Sequence, residues 1–239
     1  HHRHRSYGYF RHLNSSLLFP KTNQEKNDRL SRWTDQARRR NKKISRNINE
    51  GNKIISKKRT FMAVFENQFG KQKIKSKSGR DIILRSPALN DDQQLLDYTQ
   101  MSHKETGFMV TLLEELNLSL DDEIKWINKT LTSPDDLAIV AEFGGKIIGI
   151  IDFQGRSQRK RLAHTGHFSM ALYPDFRNDG IGALLIQALL GWAEIHPTLE
   201  KVGLAVFATN LRAIFLYKKL GFLEEGRRHK EIKFGPNEY

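Results

Sequence analysis

Hydrophobic and polar positions follow a regular pattern only in the later part of the chain. From residue 71 onward, apolar residues recur at the spacing of strands or helices, whereas residues 1–61 show no sustained period of either kind. A segment without such a pattern buries too little apolar surface to offset the entropy of folding. We therefore expect a disordered or non-native leader over residues 1–61 and one globular domain over residues 62–239.

The pattern in the globular part predicts seven strands and four helices. The strands are expected at residues 73–77, 81–85, 137–143, 147–153, 164–172, 202–207 and 222–233. The helices are expected at residues 91–101, from the Ser119 cap to 131, at 180–195 and at 210–220. The links Ser78-Gly79 and Gly144-Gly145 are typical of tight hairpin turns. The order ββ-αα-βββ-α-β-α-β predicts an α/β fold, of the α+β kind with a mixed sheet, in one domain.

The formal net charge is +13, and the leader carries all of it. Residues 1–61 hold 17 Lys and Arg against 4 Asp and Glu, so the globular part is neutral. This distribution excludes a uniformly basic nucleic-acid-binding fold. Three interpretations of the leader stay open: an arm that binds nucleic acid or another anionic surface, a targeting peptide, and a non-native extension. The absence of methionine before Met62 favours the third, which predicts that a chain beginning at Met62 folds unaided.

The sequence lacks the residues that several classes of site require. It has no cysteine, which excludes disulfides, thiolate metal sites and a cysteine nucleophile. His164 and His167 fall on opposite faces of one strand, so we expect no metal site there. No apolar run reaches the roughly 18 residues that span a bilayer, so we expect no membrane partner and a cytoplasmic location.

The segment that joins strand 164–172 to the next helix has the composition of an anion-binding loop. It runs from Tyr173 to Gly182 as Y-P-D-F-R-N-D-G-I-G. Two glycines at a helix start let the backbone approach a ligand, and the N–H groups and dipole of the helix attract an anion. No Walker loop is present, and Leu185 stands where a Rossmann fingerprint has its third glycine. The alternative interpretation is an ordinary turn between a strand and a helix.

The helix at 210–220 carries two further candidates. Asn210 is at the N-cap position, where its side chain can accept from the backbone or reach a ligand amide. Tyr217 lies beside Leu216 at the edge of the apolar stripe, where its hydroxyl can enter a cleft. The alternative is a capped amphipathic helix with a half-buried tyrosine.

Taken together, the two segments resemble the GNAT superfamily of acetyl-CoA-dependent N-acetyltransferases. An Arg-x-x-Gly-x-Gly pattern after a strand precedes an Asn-x-x-Ala-x-x-x-Tyr-x-Lys-x-Gly-Phe pattern on a later helix. The residues that carry this resemblance are Arg177, Gly180, Gly182, Asn210, Ala213, Tyr217, Lys219, Gly221 and Phe222. The resemblance covers residues 72–234, and it implies the GNAT-like acyltransferase fold, acetyl-CoA as acetyl donor and no metal.

The resemblance also implies a role for each candidate residue. Three strand residues would diverge from the neighbouring strand and pair with the pantetheine arm: Met170, Ala171 and Leu172. Six loop residues would hold the pyrophosphate: Arg177, Asn178, Asp179, Gly180, Ile181 and Gly182. Asn210 would contact the cofactor arm, and Tyr217 would donate a proton to the leaving thiolate.

The implied reaction moves an acetyl group to a primary amine of a small molecule or peptide. Direct attack in a ternary complex is expected, because no cysteine is available for an acyl-enzyme. The amine has to lose a proton, and the candidates for the base are His164, His167 and Asp152. Many family members have a glutamate on the strand equivalent to 164–172, and this chain has none there. One alternative is a catalytically weak GNAT-like protein with an acetyl-CoA-binding or regulatory role. Another is a nucleic-acid-associated protein that uses the basic leader.

Members of this family usually end in a hairpin of two strands. Here the sequence predicts only one strand after the last helix, so we expect the last strand to be absent and one edge of the sheet to be left unpaired.

We expect no nucleic-acid partner. The oligomeric state is open, with a homodimer as one alternative.

Overall fold

The computed structural model of the chain describes residues 11–18, 69–105 and 107–236. These residues form the strands β1 Arg11–Leu18, β2 Gln72–Lys75, β3 Asp81–Arg85, β4 Leu137–Phe143, β5 Lys146–Gly155, β6 Thr165–Leu172, β7 Lys201–Phe207 and β8 Leu223–His229. They also form the helices α1 Asp92–Glu105, α2 Leu120–Thr132, α3 Ile181–Ile195 and α4 Leu211–Lys219. Apart from β1, the order of strands and helices is the predicted one, and the mixed α/β fold is confirmed.

Short-range chemistry explains where several of these elements begin and end. The Ser119 hydroxyl accepts from the Asp122 N–H at 3.3 Å, and the Asp122 carboxylate accepts from the Ser119 N–H at 3.1 Å, so α2 begins with the predicted capping box. Gly144 and Gly145 adopt φ of 57° and 80° in the turn between β4 and β5. Strand β8 ends earlier than predicted, just before Lys230, whose φ of 57° interrupts the extended backbone.

All of these strands lie in one sheet, in the order β2-β3-β4-β5-β6-β7-β1-β8. Neighbouring strands are antiparallel except β6 and β7, which are parallel. The register between β6 and β7 covers only residues 165–167 opposite residues 201–203. Both strands continue beyond that register, so the sheet opens between their carboxyl ends.

Helices cover both faces of the sheet. On one face α3 and α4 pack over the larger core cluster, in which Ile181, Leu185 and Leu189 are fully buried. On the other face α1 and α2 pack over a smaller cluster that includes Leu95 and Ile127. The opening between β6 and β7 therefore has a helical layer on each side.

Strand β1 departs from the prediction that residues 1–61 form a leader. It lies antiparallel between β7 and β8, with Leu13 opposite Val206 and Arg227. Ser16 is buried, and Leu17 packs against the larger core cluster. Eight residues of the expected leader thus belong to the sheet, and they pair with both β7 and β8. The boundary at residues 61 and 62 lies outside the described residues and stays a prediction.

No helix within residues 11–18, 69–105 and 107–236 is long and apolar enough to cross a bilayer. Within those same ranges, no three His, Asp or Glu side chains come together in a way that suits a metal ion.

Candidate active site

The opening between β6 and β7 continues into a cleft of about 1950 Å³. Strand β6 and the loop 177–182 line one side of the cleft, and α4 with the end of β7 lines the other. Nine of the predicted cofactor-binding residues line it, namely Met170, Ala171, Leu172, Arg177, Asn178, Asp179, Gly180, Gly182 and Asn210. Tyr217 also lines it, whereas the side chain of Ile181 is fully buried in the core.

The backbone of β6 faces the opening with alternate residues. The His164 carbonyl accepts from the Lys201 N–H at 3.1 Å on the β7 side, and the Thr165 carbonyl accepts from the Arg156 N–H at 3.1 Å on the β5 side. The register between β5 and β6 is regular up to Leu172, so this alternation continues along β6. Three residues beyond the β7 register therefore direct their backbone groups into the cleft: Phe168, Met170 and Leu172.

The loop 177–182 has the geometry of an anion-binding turn. Asn178 and Gly180 adopt left-handed φ of 63° and 83°. Gly180 is the N-cap of α3 and provides no side-chain hydrogen bond to the first helical turn. Because the N–H groups of a first turn have no partner within the helix, these groups can bind an anion in the cleft.

The two glycines of the loop have different roles. A Cβ on Gly180 would meet only the Lys77 side chain, at 3.1 Å, so the positive φ is the main reason for glycine there. A Cβ on Gly182 would lie 3.2 Å from Met170 Cε and 3.5 Å from Leu216 Cδ2. Gly182 therefore allows α3 to pack closely on β6 and α4.

Asp179 joins the loop to the turn between β2 and β3. Its carboxylate accepts from the Ser78 N–H at 2.6 Å and from the Ser78 hydroxyl at 2.7 Å, and its carbonyl accepts from the Lys77 N–H at 2.9 Å. Hydrogen bonds from Ser76 and Ser78 lower the pKa of Asp179 to about 2. These contacts keep the Asp179 carboxylate turned toward the hairpin, and they hold the loop in place.

Two arginines lie close together at this end of the cleft. Arg177 Nε donates to the Leu172 carbonyl at 2.8 Å, which fixes the start of its guanidinium beside β6. Burial and the charge of Arg177 both lower the pKa of Arg212 on α4. The two positive charges repel each other, so an anion bound between the guanidinium groups would stabilise this arrangement. The sequence patterns did not indicate Arg212.

Helix α4 places both of its predicted residues in the cleft wall. The Asn210 side chain accepts from the Ala213 N–H at 3.2 Å, which confirms the predicted N-cap. Tyr217 packs edge-on against Phe168 and Phe222, with ring centroids 5.9 Å from each. Burial raises the pKa of Tyr217 to about 12, so its hydroxyl stays protonated at neutral pH.

The opposite half of the cleft lies between the sheet and the helices α1 and α2. Paired residues of β5 and β6 share this face: Asp152 lies opposite Ser169, and Gln154 lies opposite His167. The helices contribute hydroxyl, carboxylate and aromatic side chains to the same wall, namely Tyr98, Thr99, Ser102, Asp122, Glu123 and Trp126. This half is large and polar enough to receive a second substrate.

Two of the three candidate bases reach the cleft. Asp152 and His167 line it, whereas His164 is not among the described lining residues and is exposed. Burial raises the pKa of Asp152 to about 6, although its Oδ2 accepts a hydrogen bond from Gln154 Nε2 at 3.2 Å. Burial, together with Arg156 and Lys201, lowers the pKa of His167. Both side chains are thus mainly deprotonated at neutral pH.

Comparison with known protein families identifies the family to which this fold belongs. The model of the Acetyltransferase (GNAT) family matches residues 100–222. The chain belongs to this family. The match runs from the second half of α1 to just beyond α4, and so it includes the diverging strands, the loop 177–182 and the helix that carries Tyr217.

Individual GNAT proteins are similar over most of their own length. An N-alpha-acetyltransferase of Sulfurisphaera tokodaii is 29% identical over 159 residues, which are 62% of this chain and 84% of that protein. An L-amino acid N-acetyltransferase of Escherichia coli is 29% identical over 44% of this chain and 64% of that protein. A GNAT-family acetyltransferase structure from Streptococcus pneumoniae superposes with a TM-score of 0.63 at 26% identity, covering 66% of this chain and 94% of that one. The chain is an N-acetyltransferase.

The individual residues of the wall formed by α1 and α2 were not identified from the sequence. Glu123, Trp126 and Tyr98 lie on helices whose spacing is that of any amphipathic helix, so no pattern singled these residues out. A helical face that keeps a carboxylate among apolar positions was the available indication. It is weak without knowledge of which helices cover the opening in the sheet.

Proposed function

We propose that the chain transfers an acetyl group from acetyl-CoA to a primary amine of a small molecule or peptide, by direct attack in a ternary complex. The proposal is supported by the arrangement of a single cleft. The start of α3, which has no side-chain cap, and two arginines lie at one end of this cleft, and the diverging strands β6 and β7 lie in its middle. The test is release of free CoA on mixing the protein with acetyl-CoA and a panel of amines. A cytoplasmic location and a homodimer stay predictions.

The residues of the donor half fit acetyl-CoA. The N–H groups at the start of α3, with Arg177 and Arg212, would bind its phosphates. The backbone of Met170 would pair with the amide-containing pantetheine arm and polarise the thioester carbonyl, as an oxyanion site does. The Leu172 carbonyl already accepts from Arg177, so its position is held before the cofactor binds.

Asp152 is the proposed proton acceptor for the amine. A free amine with a pKa of about 10.4 is mostly protonated at neutral pH, so a base has to remove a proton before attack. Asp152 lies in the acceptor half opposite Ser169, next along β6 from Met170. A pKa of about 6 leaves the carboxylate deprotonated at neutral pH and more basic than an ordinary aspartate.

Replacing Asp152 should remove one limb of the pH profile. In the native protein kcat/KM should rise as the pH increases through about 6, because Asp152 accepts a proton only when it is deprotonated. Asp152→Asn should lower kcat/KM by about 100-fold or more and abolish that limb. His167→Gln is the matched control, since His167 lines the same wall. If only His167→Gln abolishes the rise in kcat/KM near pH 6, the proton acceptor is His167 and not Asp152.

Replacing Tyr217 should slow turnover with little change in acetyl-CoA affinity. Tyr217→Phe removes only the hydroxyl and keeps both aromatic contacts. We expect a fall in kcat near the low end of the about 10²–10⁴-fold range of acid–base groups, because a thiolate leaves readily. The deficit should shrink above about pH 9, where the CoA thiolate needs no proton. Full turnover of the variant at neutral pH would make Tyr217 a packing residue.

A further inference from the structure

Charge is divided between the two halves of the cleft. The lysines and arginines among its described lining residues are Lys75, Lys77, Arg177, Arg212 and Lys219. These belong to the loop 177–182, to α4, or to the segment at the end of β2 that contacts Gly180 and Asp179. On the α1 and α2 side, the charged lining residues other than histidine are carboxylates. The charged side chains that line this wall are therefore negative, while Lys129, Arg156 and Lys201 act on it from outside the lining.

Glu123 is the most enclosed of these carboxylates. Its residue is only 7% exposed, although it lies in the first turn of α2. Burial raises its pKa, and neighbouring Asp122 raises it further, while a hydrogen bond with Thr99 acts in the opposite direction. Among the described residues no Lys or Arg forms an ion pair with it. A buried carboxylate without a cation is costly, and a positively charged ligand would offset that cost.

Tyr98 helps to fix the shape of the same wall. It is 3% exposed and lines the cleft, and its hydroxyl lies against the backbone of Ile150 on β5. Its ring is fixed edge-on against Tyr173, with centroids 5.4 Å apart. These contacts hold α1 on the sheet, and with it Thr99, the residue that contacts Glu123.

The rest of the wall suits a hydrocarbon chain that carries a cation. Trp126 lies one helical turn after Glu123 and lines the same wall, and an indole ring can bind a positive charge. The segment between α1 and α2 adds apolar side chains, namely Phe108, Met109, Val110 and Leu118. Phe108 reaches Phe207 at the end of β7, with ring centroids 5.9 Å apart, so this segment covers the mouth of the acceptor half.

We propose that Glu123 and Trp126 form a subsite for a second positive charge, so that the acceptor is an aliphatic diamine or polyamine. This inference rests on the proposed function and names its substrate class. One amino group reacts near Asp152, while a distal ammonium donates to Glu123 and lies against the indole of Trp126. Acceptors with a carboxylate at the distal end are disfavoured by repulsion from Glu123.

Three series of probes of matched length test this proposal. Diaminoalkanes, alkylamines and ω-amino acids with three to six carbons share the reacting amine and differ only in the distal group. At the best length, kcat/KM for the diamine should exceed that for the alkylamine by about 10- to 100-fold, as expected for hydrogen bonds to a charged group. The amino acid should be the poorest of the three.

Variants assign the preference to particular side chains. Glu123→Gln should bring the ratio of diamine to alkylamine close to one, because the loss in kcat/KM falls mainly on the diamine. Asp121→Asn is the matched control, since Asp121 lies in the same first turn, loses the same charge near the helix dipole, and does not line the cleft. Melting temperatures show whether each variant is folded.

The outcomes separate this inference from the proposed function. Equal rates for diamine and alkylamine at every length, or a preference that survives Glu123→Gln, overturn the subsite. A loss in Glu123→Gln that is the same for all probes also overturns it, because it shows a structural role. Turnover of amino acids or peptides without turnover of diamines overturns the substrate class and leaves acetyl transfer intact. Failure to bind acetyl-CoA in calorimetry contradicts the proposed function itself.

Discussion

Replacing Gly180 by aspartate should lower the affinity for acetyl-CoA about 1000-fold, whereas asparagine should lower it less than tenfold. Gly180 caps α3, and a Cβ there would point toward the Lys77 side chain, which lines the cleft beside the helix start where the phosphates are proposed to bind. Two like charges about 4 Å apart at an effective dielectric constant of about 20 repel by about 4 kcal/mol. Each 1.4 kcal/mol corresponds to about a factor of ten.

Comparing the aspartate and asparagine variants separates the effect of side-chain charge on acetyl-CoA affinity from the effect of side-chain shape. Aspartate and asparagine are nearly isosteric, both tolerate the left-handed φ of 83°, and both displace the Lys77 side chain equally. Titration calorimetry at low salt should therefore show a difference that comes from the carboxylate alone. Equal affinities in the two variants would place the phosphates elsewhere. Gly182 is unsuitable for this experiment, because any side chain there disturbs the packing against Met170.

The helices and turns that were predicted correctly are determined by interactions between residues that are close together in the sequence. The Ser119 capping box and the Gly144-Gly145 turn are each contained within a few residues, and the structure has both. The loop 177–182 likewise shows its glycine spacing in the sequence. Which of its two glycines is needed for close packing depended on tertiary contacts, because only the structure places Met170 and Leu216 against Gly182.

The acceptor subsite depends on how distant elements meet. Glu123 on α2 and Asp152 on β5 lie on different elements, and neither forms a recognisable motif with the other. Their proposed roles follow from their both lining the cleft that continues from the opening between β6 and β7. That opening arises because the β6–β7 register stops at His167, and no feature of either strand in the sequence marks that position.

Strand β1 was missed for a related reason. Its sequence, R-H-L-N-S-S-L-L, has no strict alternation and lies in a strongly basic segment, so local propensity argued against a strand. Its pairing is non-local, with partners near residues 201–207 and 223–229. The chain gains this strand from backbone hydrogen bonds on both sides, which are nearly independent of side-chain type.

The position of β1 reverses the expectation that a chain beginning at Met62 folds unaided. Strand β8 pairs with β1 and with no other described strand, and its side chains are all exposed, so backbone pairing with β1 is what holds it in the sheet. Strand β7 would also lose its neighbour along its whole length. Residues 205–207 of β7 line the cleft, so the effect reaches the proposed cofactor site.

Deletion of residues 1–18 should therefore lower the melting temperature by more than about 10 °C and weaken acetyl-CoA binding. Hydrogen bonds at about 1 kcal/mol each, together with burial of Leu17, amount to several kcal/mol of a total of about 5–15 kcal/mol. Deletion of residues 1–10 is the control, because it shortens the chain and leaves β1 intact. Ser16→Pro should reproduce the larger loss, since proline removes an N–H from a strand with neighbours on both sides. If the chain without residues 1–18 melts with the full-length protein, the pairing of β1 contributes nothing to stability, and the domain begins after the leader as its composition predicts.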